Sequence, residues 1–398
     1  MKALQGIRLL YLTHMLSGPY AGMMLADLGC ETIKIEPPGT GEGTRKLQAT
    51  DPKNSVHGMG SYFLTLNRNK RSVTLNLMTA EGLKLVYELV KISDIVLNNF
   101  SAGVPEKLKI DYARLSAINP RVITCSITGF GETGPGRDWP AFDMVAQAMG
   151  GGMSITGEAG GVPMRAGIPI GDLCGGVFGV IGVLSALMAR NSTGRGQHVD
   201  ISMLDGQISL LNYMATMWLL NGEIPGAIGN SHFVHVPYDT FPTQDGYLII
   251  AAVTDDAWKG VTAVMGLAEL DTAENAVQPG RRKNRALIHR RLVEMTRSNT
   301  KEFWLEKLRA VGVPCAPVNN FTESLTNAQV LARNMVIETH HPAGDKVRMP
   351  GNPIKLSHTH EDSFSPPPLL GQHNQDVYCG LLGKSAEELA QLKARGII

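Results

Sequence analysis

Asp172 is the residue of this sequence whose setting most suggests chemistry. It stands in Pro163-Met-Arg-Ala-Gly-Ile-Pro-Ile-Gly-Asp172-Leu-Cys-Gly-Gly176, between an apolar run and a glycine pair, ahead of the uncharged stretch Val177 to Ala189. That stretch predicts a buried helix with Asp172 at its N-cap, a position that aspartate favours for structural reasons alone. A carboxylate at the positive end of a helix, with small residues in front of it, is equally a nucleophile awaiting an electrophile. The eleven histidines form no H-E-x-x-H pattern or His/Cys cluster, and His340-His341 and His358 with His360 fall in expected loops, so no metal is expected. Five cysteines, an odd number with no Cys-x-x-Cys pair, read as free thiols in a reducing compartment.

The elements that must position Asp172 follow from the pattern. The 398 residues suffice for two or three domains, and 37 basic against 36 acidic residues leave a net charge of +1. Such a balance draws the protein to neither nucleic acid nor a membrane surface. Met1 to Arg8 lacks the pattern of a secretory signal, and Leu173 to Ala189 falls short of a membrane span, so a cytoplasmic protein is expected. Strand-like Gly6 to Thr13, helical Tyr20 to Gly29 and strand-like Glu31 to Glu36 open a βαβ unit, and strand and helix alternate to about residue 150. The first turn reads His14-Met-Leu-Ser-Gly-Pro19, without G-x-G-x-x-G, which disfavours the usual dinucleotide site. Met203 to Leu220 predicts one long helix whose Met203, Met214, Met217 and Trp218 belong to the core. Gly, Pro and Asn in residues 221–237 mark a boundary, a smaller unit runs on to about Asn320, and a proline-rich tail precedes a last helix, Ser385 to Lys393.

Eight stretches recur in a definite order along nearly the whole chain: Thr13-His-Met-Leu-Ser-Gly-Pro19, Ile33-Lys-Ile-Glu36, Leu66-Asn-Arg-Asn-Lys-Arg-Ser72, Asn99-Phe100, Ser126-Ile-Thr-Gly-Phe-Gly131, Gly171-Asp172, Thr193-Gly-Arg-Gly-Gln197 and Pro367-Pro-Leu-Leu-Gly-Gln-His373. Together they resemble the class III coenzyme A transferases, the formyl-CoA transferase family. The resemblance implies an α/β fold with a Rossmann-like large domain built from both chain ends (residues 1–220 and 331–398) and a smaller α+β domain (221–330). It also implies an interlocked, ring-like homodimer. By the same resemblance Asp172 is the catalytic aspartate, passing through a mixed anhydride and an aspartyl-CoA thioester, with Gly175 and Gly176 near the oxyanion. Coenzyme A, a thioester substrate and no permanent cofactor, is expected at His14, Met15, Leu16, Ser17, Lys70, Asn99, Phe100, Lys107 and Leu108, the two lysines meeting phosphates.

Two departures narrow the expectation. The racemase branch of the family carries a His-Asp dipeptide where this chain has Phe142-Asp143, so an α-methylacyl-CoA racemase would lack one of its two bases. A non-catalytic CoA-ester-binding subunit is the other alternative, against which the retained Asp172 counts. The glycine-rich loop of the formyl-CoA enzyme is replaced by Gly229-Asn-Ser-His-Phe-Val-His-Val-Pro-Tyr238, which points away from oxalate and formate. The overall pattern is closest to enzymes moving coenzyme A from succinyl-CoA to C4–C6 dicarboxylates, and Arg45 and Arg165 are the candidates for the second carboxylate.

Overall fold

In a computed structural model, residues 2–359 and 364–398 are described; His360 lies outside them. Six short strands form a parallel sheet: β1 (Arg8–Leu12), β2 (Glu31–Glu36), β3 (Lys70–Thr74), β4 (Ile95–Asn98), β5 (Ile123–Thr128) and β6 (His198–Ser202). Their order across the sheet is β3-β2-β1-β4-β5-β6, parallel at every step. The chain winds outward from β1 to β3, then returns to the middle and winds the other way from β4. A crevice therefore opens between β1 and β4 at the carboxyl ends of the strands, where sheets of this kind take their ligands.

Both faces of the sheet are covered, as a parallel sheet requires. Helices α1 (Ser17–Asp27) and α5 (Ile170–Thr193) close one face over Leu9, Tyr11, Ile95 and Ile127, with Val183 of α5 in the same core. Between them in sequence lie α2 (Ser61–Leu66), α3 (Ala80–Lys91) and α4 (Asp143–Met149). Helix α3 covers the other face: Thr79 caps it by accepting the Gly82 N–H, and Leu85, Val86, Leu89 and Val90 recur at helical spacing as its buried stripe. The chain's last residues complete that face. Tyr378, Leu392, Ile397 and Ile398 join its core, the Asn76 N–H donates to the Ile397 carbonyl (2.8 Å), and the Tyr378 hydroxyl donates to the Thr74 carbonyl (2.8 Å).

Two units emerge by packing: residues 1–152, 165–221 and 328–398 form the larger, and 153–164 with 222–327 the smaller. The smaller holds a three-stranded antiparallel sheet of Tyr238–Pro242, Tyr247–Ala251 and Cys315–Pro317, with three helices packed on Phe241, Trp258 and Trp304. The segment 153–164, which the sequence reading kept with the large domain, groups with this smaller unit.

Two expectations need correction. Asp172 is not the N-cap of its helix: α5 starts at Ile170, its N-cap is Pro169 with no side-chain cap, and Asp172 is the third residue of the first turn. The expected helix Met203 to Leu220 is broken at Asn212, whose φ of +51° ends α6 (Met203–Leu211) before α7 (Tyr213–Asn221) begins. Met203 is buried, but Met217, Trp218, Leu219 and Leu220 are exposed, and α7 has no buried residue. An apolar sequence sets a preference for burial without supplying the surface that satisfies it.

Candidate active site

The first turn of α5 can be accounted for bond by bond. The Ile170 N–H donates to the Ile168 carbonyl (2.8 Å) and the Leu173 N–H to the Pro169 carbonyl (3.0 Å). Those of Gly171 and Asp172 donate to Oδ1 of Asp143, at 2.8 and 3.3 Å. Asp143, the first residue of α4, thus caps the helix that carries Asp172. Its Oδ2 accepts from the Gln147 side-chain amide (2.7 Å), and Oε1 of Gln147 in turn accepts the Ala166 N–H (3.0 Å). The N-cap Pro169 has no N–H and the Leu173 bond is the first of the helical ladder, so the three N–H groups that this helix start leaves without helical partners, those of Ile170, Gly171 and Asp172, are all taken.

The Asp172 carboxylate is half-buried and no Lys, Arg or His pairs with it among the described residues. Burial, then the nearby charge of Asp143, pushes its pKa up to about 6, against hydrogen bonds from the hydroxyl and backbone N–H of Ser17 that favour the ionised form. The N–H groups at this helix start that could have held the Asp172 carboxylate in its ionised form go to Asp143 instead. Tyr62, on α2, also faces the pair, and burial together with the charges of Asp172, Glu42 and Asp143 pushes its hydroxyl up to about 12. Cys174, a turn-mate of Asp172, donates to the Gly171 carbonyl (3.2 Å) and accepts from Nε2 of Gln207 (3.3 Å).

Gly175 and Gly176 do not serve an oxyanion. They lie inside α5, where their N–H groups belong to the helical ladder, and both are buried. Their small size is used in packing. A Cβ at Gly176 would stand 2.8 Å from the Ser17 carbonyl, and one at Gly175 would stand 3.2 Å from both Ile127 and Met203.

A cavity of about 590 Å³ opens at the switch point between β1 and β4, lined by His14, Met15, Phe100 and Leu108 with Leu12, Pro37, Pro38, Leu75 and Met78. Two bonds fix its mouth: the His14 N–H donates to Oδ1 of Asn99 (3.0 Å), and Nδ2 of Asn99 donates to the His14 carbonyl (2.7 Å). Met15 holds a φ of +62°, rare for a residue with a side chain. Burial lowers the His14 pKa, so its imidazole is neutral at pH 7. One residue further on, Leu16 lines a second, mostly apolar cavity of about 540 Å³ with Tyr20, Met23, Tyr62 and Leu173. Ser17 then meets Asp172. Four consecutive residues, His14 to Ser17, thus lead from the first cavity to the carboxylate.

Two expected ligand residues are engaged elsewhere. Lys70 is buried, donates to the Pro19 carbonyl (3.1 Å) and Oδ1 of Asn67 (3.3 Å), and lies 4.2 Å from the centre of the Tyr11 ring. Burial, and then Lys34 beside it, depresses its pKa well below the usual lysine range, so it meets no phosphate. Arg45 clasps buried Glu36 through two bonds, 2.6 and 2.7 Å, donates to the Pro368 carbonyl and stacks on Phe63, which leaves no fork for a second carboxylate. Lys107 and Arg165 are exposed. Gln147 and Tyr62 escaped the sequence reading, and Asp143 appeared there only as the second residue of Phe142-Asp143, without a role. Asp143 and Gln147, four apart on one helix, could be read only as a pair on a shared face, and nothing local marks that they hold another helix; Tyr62 carries no signal.

Among the described residues no group of three or more His, Cys, Asp or Glu side chains could hold a metal ion. The model of a family described as CoA-transferase family III matches residues 4–374. Over 399 residues the chain is 34% identical to succinyl-CoA:glutarate CoA-transferase of Mus musculus, a match covering 100% of this chain and 91% of the relative. It is 38% identical over 354 residues to acetyl-CoA:oxalate CoA-transferase of Acetobacter aceti, covering 88% of each. Among solved structures, a CAIB/BAIF family protein from Brucella suis superposes with a TM-score of 0.84 at 36% identity, over 96% of this chain and 99% of that one.

Proposed function

The chain belongs to CoA-transferase family III, and on that premise we propose that it moves coenzyme A from succinyl-CoA to a free C4–C6 dicarboxylate, with Asp172 as the nucleophile. The observation that carries this reading is the Asp172 carboxylate itself: half-buried, paired with no cation among the described residues, and joined by His14 to Ser17 to a cavity at the sheet's switch point. A carboxylate paired with no cation keeps its nucleophilicity.

In the proposed mechanism an Asp172 oxygen attacks the thioester carbonyl carbon of the donor. The C–S bond breaks, leaving a mixed anhydride and the CoA thiolate. The thiolate attacks the aspartyl carbonyl, releasing the donor acid as a carboxylate and forming an aspartyl-CoA thioester. The acceptor carboxylate attacks that carbonyl, expelling the thiolate again, and the thiolate takes the acceptor's acyl group from the second anhydride. Asp172 returns as a carboxylate with no net proton uptake. The cavity lined by His14, Met15, Phe100 and Leu108 would hold the coenzyme, with exposed Lys107 free to reach a phosphate.

Of the relatives named above, the one that acts on glutarate supports a C4–C6 acid, while the one that acts on oxalate supports a dicarboxylate only in general and counts against the expectation that oxalate is excluded. Arg165, exposed and in no ion pair among the described residues, is the cation proposed for the acceptor's second carboxylate. A homodimer is part of the same reading, supported by the uncovered apolar residues of α6 and α7; a cytoplasmic location is proposed with it from the sequence alone. The test is incubation with succinyl-CoA and a panel of acids that includes glutarate and oxalate, with new thioesters identified by mass spectrometry. Transfer to a dicarboxylate and a hydroxamate at Asp172 after hydroxylamine treatment are expected; transfer by Asp172→Ala at the wild-type rate would end the mechanism.

A further inference from the structure

We propose that Asp143 is a positioning residue for Asp172, fixing the first turn of α5 while withholding that turn's N–H groups from the Asp172 carboxylate; this rests on the reading of Asp172 as nucleophile. The geometry is a chain of four bonds. Oδ1 of Asp143 accepts both the Gly171 and Asp172 N–H groups, Oδ2 accepts from Gln147, and Gln147 accepts from Ala166. One carboxylate therefore holds the helix start, and through Gln147 it also holds the strand of chain that enters it. Aspartate at the start of a helix ordinarily gains from the positive end. Here Asp143 takes that gain, coming from a neighbouring helix, and Asp172 receives a second negative charge in its place.

The consequence concerns reactivity. A more basic carboxylate is a stronger nucleophile, provided that it is ionised at working pH. The groups facing Asp172 are Ser17 from α1, Tyr62 from α2, Asp143 from α4 and Cys174 on its own helix, and no cation among the described residues pairs with it. Of these, Asp143 alone is a carboxylate. Removing its charge while keeping the cap separates the two roles. Asp143→Asn keeps an oxygen for the Gly171 and Asp172 N–H groups but puts an amide N–H2 where Oδ2 accepted from Gln147, so the cap survives and the Gln147 link does not; Asp143→Ala removes both.

The experiment measures CoA transfer from succinyl-CoA between pH 5 and 9 for wild type, Asp143→Asn and Asp143→Ala, with thermal melting of each. For Asp143→Asn the acidic limb of kcat/KM moves down by about one pH unit, and the melting temperature stays within a few degrees. For Asp143→Ala kcat falls about a hundredfold, the loss typical of a misplaced reacting group, with KM for succinyl-CoA little changed. An acidic limb at the wild-type pH in Asp143→Asn, or a full kcat in Asp143→Ala, overturns the proposal. Lower melting temperatures with an unmoved pH profile would assign Asp143 to structure only and overturn it equally. Failure of the nucleophile reading shows separately, as an active Asp172→Ala protein.

Discussion

Asp172 is held where its charge is disfavoured, and its folded pKa of about 6 lies above that of an exposed aspartate, because of burial first and Asp143 second. The sign of the stability effect follows. A carboxyl raised in the folded state favours folding while protonated, so its contribution is present below about pH 4, is lost as pH rises toward 6, and is absent at neutral pH. An asparagine cannot ionise and escapes the loss. Asp172→Asn is therefore expected to be inactive yet more stable than wild type by about 1–2 kcal/mol at pH 8, with no difference at pH 4. Urea unfolding at the two pH values checks it, and equal stabilities at pH 8 would contradict it. Arg45 illustrates the opposite case: it is bound to buried Glu36, and its apparent availability in the sequence was an effect of reading one partner without the other.

At the scale of elements, the contact of α1 with α5 sets where Ser17 and Asp172 meet. Gly176 is the closest point, for any side chain there would press on the Ser17 carbonyl at 2.8 Å, and that carbonyl cannot move without moving α1. Gly176→Ala is expected to destabilise by about 1–3 kcal/mol, the usual result of overpacking. Because Ser17 bonds to Asp172, the same change should lower kcat more than a substitution of similar cost far from the helix pair. Chemical denaturation and steady-state rates measured on one preparation provide the check; a variant of unchanged stability would show that the helices separate freely. The loop from His14 to Ser17 depends on the same contact, since Ser17 begins α1 while the Asn99 clamp holds its other end.

On the scale of the whole molecule, α6 and α7 leave Ile208, Leu210, Tyr213, Met217, Trp218, Leu219 and Leu220 exposed, a set that a soluble monomer rarely presents together. A second copy of the chain is the proposed cover. Sedimentation should then give a dimer, and Trp218→Glu should weaken it at least tenfold without altering the parallel sheet's circular dichroism; a monomeric wild-type protein would refute this. The sequence alone determined the alternation of strand and helix, because period-two and helical patterns are local, and it singled out Asp172 through its glycine neighbours. It also located the loop His14 to Ser17 and the pair Asn99-Phe100, which stay close to strand ends that the pattern makes visible. Only the tertiary structure decided what each charge faces. Lys70 and Arg45 read as free cations, yet one is buried against Tyr11 and the other against Glu36. Asp172 read as a cap, yet Asp143, 29 residues away, caps that helix. Such pairings depend on which elements pack together, and no local pattern records the partner.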